Sequence, residues 1–380
     1  MTLSDADVLA AVAARRDEAL RTVRFVHAHP ELAHEERRCS AHLAQALAGA
    51  GFAVETGIAG METAFLATFT GAEPGRTVGI VALYDAVATV GPDGEPVPMH
   101  CCGHGPIAGG VLAAASALAA LGDRLPGRVV VVGCPADEIH APLTQERGGG
   151  KALTAAAGVW DDVDAALYAH PEFMDTVIRE SLWMRRQRVR VAASRSLRAD
   201  ADQPPLDAFR TVAAIVAESD PGRVMLERVV LDGDVEEGTG LVLTATFLLF
   251  SPTEEELETA VAGLRARFAA GEWTEGPKVA GVRPDDGVTA AVADAFRAAG
   301  GDFVADPPPL PFATDFGNIS HRVPAALVGV GRDGGWAFHT SEGEAQFTGP
   351  EGDRVAMRMA EVLALATVRL ADPGPAARPS

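Results

Sequence analysis

The chain has 380 residues, with 32 Lys and Arg against 52 Asp and Glu, giving a formal net charge of −20 at pH 7. That deficit of basic residues excludes a protein that binds nucleic acid by neutralising phosphates. A hydrophobic fraction of 48% with 22% charged residues excludes a wholly disordered chain.

The length suggests two domains rather than one, at about 100–200 residues each. The first residues read as an amphipathic helix with charges throughout, without the apolar stretch of a signal peptide. The apolar runs at 111–120 and 129–135 are too short or too rich in alanine to span a bilayer. Four cysteines do not make a disulfide framework in a chain this long. The expectation is a cytoplasmic protein with no membrane partner and no nucleic-acid partner.

Taken in chain order, residues 5–28 read as one helix, with Leu9, Val12 and Ala13 and then Leu20, Val23 and Val26 at helical spacing. A second helix covers 40–50 and stops at Gly51. Strands are expected at 65–70 and 77–84, and a helix of small residues at 106–121. Residues 128–134 (Arg-Val-Val-Val-Val-Gly-Cys) are a continuous apolar run, the mark of a parallel strand buried on both faces. A shorter strand follows at 165–169. Alternation of this kind indicates α/β architecture.

Near residue 180 the pattern changes. A strand at 182–193 interleaves Arg185, Arg186, Arg188 and Arg190 with apolar residues. A helix at 206–218, strands at 223–231 and 241–250, a helix at 253–269 and a last strand near 278–282 complete a β-α-β-β-α-β order, that of a ferredoxin-like sandwich. The α/β pattern resumes with a helix at 287–299, a strand at 325–330 and a helix at 351–370. The reading is a mostly parallel sheet domain (1–178 and 286–380), with helices on both faces, interrupted by a ferredoxin-like α+β domain (179–285).

Four short stretches carry residues suited to chemistry. Cys102 and His104 open the small-residue helix, a thiolate and an imidazole fit for a borderline-soft metal. Asp137 and Glu138 follow the valine strand, at the carboxyl end where parallel sheets bind ligands. One of the two carboxylates can bind metal while the other accepts a proton from water. His170 and His339 sit in two further loops past strands. Each alone is ambiguous, since a lone buried cysteine or strand-end histidine is more often structural. Together Cys102, His104, Glu138, His170 and His339 are enough donors for two metal ions sharing a bridging ligand, about 3.5–4 Å apart. His27, His29 and His34 read as packing or capping residues and Cys39 and Cys101 as inert thiols, while His321, after the Gly-Asn-Ile-Ser turn, reads equally as a pocket-lining or a structural residue.

The stretches His29-Pro30-Glu31-Leu32 with Glu35-Glu36, Tyr84-Asp85-Ala86, His100 to His104, Pro135 to Glu138, Gly148-Gly149-Gly150-Lys151, Ala169-His170-Pro171, Thr314 to Ser320 and Phe338-His339-Thr340 occur in the order of one family. The chain resembles the zinc-dependent aminoacylase and amidohydrolase family of metallopeptidases, of the hippurate hydrolase, indole-acetyl-amino-acid hydrolase and aminobenzoyl-glutamate hydrolase type. The resemblance implies a dinuclear site held by Cys102, His104, Glu138, His170 and His339. Zinc is the first choice, with manganese, cobalt or nickel as alternatives. It implies a bridging water attacking an amide carbonyl, the residue before Glu138 as general base, and a homodimer formed through the inserted domain acting as a lid.

Three departures stand out. The base position holds Asp137 where the family has glutamate, one methylene longer. The lid segment that usually supplies a histidine reads Ala192-Ala193-Ser194-Arg195-Ser196-Leu197-Arg198, which leaves Arg195 and Arg198 as the charged donors for an oxyanion. Residues 139–147 form an apparent insertion that adds His140 and Glu146. The leading expectation is a metal-dependent hydrolase of a small N-acyl amino acid, dipeptide or related amide. The alternatives are another reaction on the same scaffold (cyclisation, condensation or hydrolysis of a non-peptide bond) and a non-catalytic binding protein.

Overall fold

The four-valine run lies in the interior of a seven-stranded sheet in the computed structural model, which describes residues 3–192, 204–233, 240–268, 271–334 and 337–372. The chain divides into two compact units, one of residues 1–180, 282–309 and 315–380 and one of residues 181–281 and 310–314.

The larger unit begins with α1 (Asp5–Ala13), α2 (Arg16–Ala28), α3 (Arg37–Gly49), β1 (Ala53–Thr56), β2 (Phe65–Thr70) and β3 (Glu73–Ala82). It continues with the hairpin β4 (Val87–Val90) and β5 (Pro96–Met99), α4 (His104–Ala120), β6 (Pro126–Gly133), α5 (Pro142–Arg147), α6 (Gly150–Ala156), β7 (Ala165–Glu172) and β8 (Thr176–Val177). The smaller unit supplies β9 (Trp183–Ala192), α7 (Pro204–Glu218), β10 (Val224–Asp232), β11 (Val242–Ser251), α8 (Glu254–Ala266) and β12 (Glu272–Val279). The chain then returns with α9 (Asp286–Ala298), α10 (Phe316–Ser320), β13 (Ala325–Gly331), α11 (Ser341–Phe347) and α12 (Pro350–Ala371).

The large sheet has the order β1-β2-β6-β3-β7-β13-β8. Its inner four strands, β6, β3, β7 and β13, are parallel, and the flanking pairings are antiparallel. Parallel strands buried on both faces need apolar side chains on both, as Val129 to Val132 supply. α4 is buried along nearly its whole length, from His104 to Leu118, and packs against α2 and α12. Because the inner strands run the same way, their carboxyl ends open at one edge. That edge carries Asp85 after β3, Asp137 and Glu138 after β6, and His170 near the end of β7.

The N-terminal helix departs from the sequence expectation. The periodic stretch 5–28 is two helices, α1 ending at Ala13 and α2 beginning at Arg16, and both bury apolar residues. Val8 and Val12 of α1 and Ala19, Val23 and Val26 of α2 are buried, with α1 against α12 and α4 and α2 chiefly against α4. The β4–β5 hairpin is also additional to the sequence reading. Its Gly91-Pro92-Asp93-Gly94-Glu95 connection is closed by the Gly91 N–H donating to Glu95 O at 2.8 Å.

The smaller unit is an antiparallel four-stranded sheet of order β10-β11-β9-β12, with α7 and α8 packed on it. Val189 and Val191 meet Val212, Ile215, Phe247 and Leu257 in its core. Arg185, Arg186 and Arg190 of β9 find partners within this unit. Arg186 makes a bidentate pair with Glu227 at 2.7 and 2.9 Å, Arg185 pairs with Glu258 and Glu275, and Arg190 with Glu272. The fold is a mostly parallel α/β unit interrupted by a ferredoxin-like one.

Candidate metal centre

The loop after β6 is bent sharply. Ala136 is fully buried and takes a left-handed conformation at φ 62°, unusual for a residue with a Cβ. Glu36, also fully buried, fixes this bend: its Oε1 accepts the N–H groups of His34 and Ala136, each at 2.9 Å, and its Oε2 accepts the Thr63 hydroxyl at 2.8 Å. Burial and the nearby Asp85 charge push its carboxyl up to about 8. The bend sends Asp137 and Glu138 off the strand end together.

His104 starts α4 just after Gly103, whose φ of 90° suits glycine. Its Nδ1 lies 2.7 Å from Asp85 O and 3.0 Å from Asp85 Oδ1. Both are acceptors, so Nδ1 carries the proton and Nε2 is the face left for a ligand. Although burial opposes it, Asp85 and Asp137 raise the basicity of this ring. Asp85 Oδ2 accepts the Glu138 N–H at 2.9 Å, so one residue orients two donors, His104 through its backbone O and Glu138 through its carboxylate. His170 is set the same way: Nδ1 donates to Pro171 O at 2.8 Å, which frees Nε2.

The freed atoms converge. Cys102 Sγ lies 3.7 Å from His170 Nε2 and 3.3 Å from His339 Nε2, and His339 Nε2 lies 3.6 Å from Glu138 Oε2. Two donor sets result, Cys102 with His104 and His170, and Cys102 with Glu138 and His339, each with its atoms within 4.8 Å of one another. They share Cys102. His339 is held in a left-handed conformation, φ 61°, and its N–H donates to Cys101 O at 2.9 Å. Burial and the neighbouring His104 and His170 push its ring down to about 4, so it is neutral and able to ligate at pH 7.

The donor set fits a pair of divalent ions. Glu138 Oε1 and His104 Nε2 are buried without a hydrogen-bond partner among the described residues, an arrangement that costs free energy unless something else satisfies them. Burial pushes the Cys102 thiol up, and Glu138 adds to this; burial also raises the Glu138 carboxyl, to about 8. Proton release at both would accompany metal binding.

Asp137 sits beside the cluster, its Oδ2 3.4 Å from His104 Nε2. Its Oδ1 is paired with the fully buried Lys151, whose Nζ is also 2.8 Å from Asp315 Oδ1. Burial works to raise the Asp137 carboxyl, but Lys151 and His104 outweigh it and hold it well below the usual range. Arg195 and Arg198 lie outside the described residues. In the 139–147 segment, Ala141, the N-cap of α5, packs with Ala33 and Ala136, while His140 and Glu146 are exposed.

The residues read as structural behave so. His29 Nδ1 donates to Phe25 O at 2.7 Å, His34 Nε2 to Gly148 O at 2.9 Å, and the Cys39 thiol to His29 O at 3.3 Å. His321 is the exposed C-cap of α10. The sequence reading gave no role to Asp85, Glu36, Lys151 or Asp315. Asp85 had the strand-end signal that marked Asp137; the other three gain meaning only from tertiary contacts.

A family model described as Peptidase family M20/M25/M40 matches residues 83–353. Among curated proteins, one of the chains of the p-aminobenzoyl-glutamate hydrolase of Escherichia coli (strain K12) is 34% identical over 155 residues, 38% of this chain and 30% of that protein. Xaa-Arg dipeptidase of Mus musculus is 33% identical over 178 residues, 42% of this chain and 37% of that protein. The match thus spans well under half the length of these relatives. The solved YXEP protein of Bacillus subtilis, described as a dinuclear metal binding peptidase from the M20 family, superposes with a TM-score of 0.67 at 19% identity. That superposition covers 94% of this chain and 99% of that one, and at such identity it shows a shared fold.

Proposed function

The chain belongs to peptidase family M20/M25/M40, and on that premise we propose that it hydrolyses the amide bond of a small N-acyl amino acid, dipeptide or related amide with two divalent ions. The observation that carries the reading is the pair of donor sets sharing Cys102, with the Oδ2 oxygen of Asp137 beside them. Cys102, His104 and His170 would hold one ion, and Cys102, Glu138 and His339 the other. Thiolate and imidazole donors favour zinc, and manganese, cobalt and nickel accept overlapping donor types. When bound, the ions polarise the amide carbonyl and acidify water.

The chain's own residues do the rest. The backbone O of Asp85 keeps His104 in the tautomer that ligates through Nε2, and Pro171 O does this for His170. Asp137 Oδ2 takes the proton of the attacking water and returns it to the leaving amine. Arg195 and Arg198 are proposed to donate to the oxyanion in place of the absent lid histidine.

The inserted unit is proposed as the contact of a homodimer. It exposes Leu206, Phe209 and Val216 on α7 and Met225 and Leu231 on the sheet-edge strand β10, and strand edges with apolar neighbours invite pairing. A cytoplasmic location is supported by four free cysteines. No helix among the described residues is long and apolar enough to cross a membrane.

The test is a screen of N-acyl amino acids and dipeptides with metal-loaded protein, wild type beside Asp137→Asn. Turnover that falls at least about 100-fold in the variant, with metal retained, supports the assignment. Turnover intact in Asp137→Asn refutes Asp137 as the base. A fully loaded wild type that cleaves no amide favours a different reaction on the same scaffold.

A further inference from the structure

Lys151 stands out among the charged groups of the described residues because it is fully buried and pairs with two carboxylates. A buried ion group of this kind is seldom a stability device. Apolar residues of similar volume generally serve as well or better, because removing charges from water is costly. The chain nevertheless builds a close seat for it. Gly150, the residue before it, donates its N–H to Ala136 O at 3.4 Å, and a Cβ at Gly150 would run into Pro135 O. Only glycine lets the start of α6 lie this close to the loop that carries Asp137. Asp315 completes the seat, its Oδ2 accepting the Ala152 N–H at 3.0 Å. The Tyr168 ring, centred 5.0 Å from Nζ, walls the ammonium in.

We propose that Lys151 is the positioning residue of Asp137: it grips Oδ1 so that the short side chain presents Oδ2 to the donor cluster. The inference rests on the reading of Asp137 as the proton acceptor. An aspartate reaches one methylene less far than a glutamate from the same backbone position. Its carboxylate must therefore be fixed where it stands, and a lysine anchored by a second carboxylate does so without supplying a ligand. The competing account is that Lys151 only neutralises Asp315. The two differ in what happens when both Lys151 and Asp315 lose their charge.

The experiment compares wild type, Lys151→Met and the double variant Lys151→Met/Asp315→Asn by crystal structure, melting temperature, metal content and steady-state kinetics on the best substrate from the screen. In Lys151→Met the Asp137 carboxylate is expected to turn away or split between positions, while Cys102, His104 and Glu138 stay in place and metal content is unchanged. The kcat should fall about 100-fold, with KM within about threefold of wild type. The double variant should recover the melting temperature but not kcat, and it serves alone if the single variant does not fold. An Asp137 that keeps its position without Lys151, or a double variant with wild-type kcat, overturns the proposal. If Asp137 moves but wild type cleaves no amide, the positioning role stands and the functional reading fails.

Discussion

Asp85 holds both His104 and Glu138: its backbone O accepts from His104 Nδ1 at 2.7 Å, with Oδ1 3.0 Å from the same atom, and its Oδ2 accepts the Glu138 N–H at 2.9 Å. Residues from two separate loops, one on each proposed ion, are thereby held in register. The β4–β5 hairpin lies between Asp85 and the Cys102–His104 segment in sequence, so the short turn at 91–95 helps return the chain to the same edge.

Replacing Asp85 by Asn should leave the fold intact and weaken metal binding about 10–100-fold, since outer partners of a ligating histidine set its tautomer and basicity. A competition titration against a chelator reads this directly. Unchanged affinity would mean that the backbone carbonyl of Asp85 alone orients His104.

Glu36 should give the protein a pH signature. Its carboxyl is raised from 4.5 to about 8 by burial first and by Asp85 second. Between those two values the folded protein holds a proton that the unfolded chain has released. The contribution is full below about 4.5 and is lost as pH rises towards 8. Glu36→Gln, neutral at every pH, should flatten that part of the stability profile. Urea unfolding of metal-stripped protein across pH 5 to 8 measures the slope, and an equal slope in both proteins would sink the assignment.

Gly150→Ala should cost about 1–3 kcal/mol, because the added methyl has no room against Pro135 O and the overpacked loop must shift. The same shift moves Asp137, so turnover should fall together with the melting temperature. A variant with wild-type stability would show that the loop has slack.

In the smaller unit, Arg186 and Glu227 form a pair with side chains about equally buried, at 7% exposure each. Arg186→Met leaves a buried carboxylate without its cation and should cost about 3–5 kcal/mol. Arg186→Met/Glu227→Leu should regain most of that loss. Chemical denaturation of the three proteins decides, and two equally unstable variants would mean the pair contributes through packing alone.

Much of this was legible in the sequence because it depends on local pattern. The valine run is a strand buried on both faces, and the residues just past such runs are at the open edge of a parallel sheet. That rule singles out Glu138 and His170, and Cys102, His104 and His339 come from the starts of helices and loops nearby. The β-α-β-β-α order of the inserted unit was equally plain, but its last strand lies at Glu272–Val279, mostly ahead of the 278–282 expected. What was hidden needed tertiary contact. Glu36 fixes Ala136 from 100 positions away, and Lys151 meets Asp315 across 164 (315 minus 151). The break between α1 and α2 leaves the apolar period almost intact, so nothing in the spacing marks it. The hairpin had a readable Asp93-Gly94 turn, but Pro96 and Pro98 argue against a strand unless it lies in an isolated pair, as β5 does.

The most direct test of the account is the metal content of the purified protein by plasma mass spectrometry, wild type beside Cys102→Ala and His339→Ala. Because Cys102 belongs to both donor sets, the account predicts about two ions per chain in wild type, about one in His339→Ala and almost none in Cys102→Ala. Wild-type protein that stays empty after zinc or manganese is supplied would contradict it.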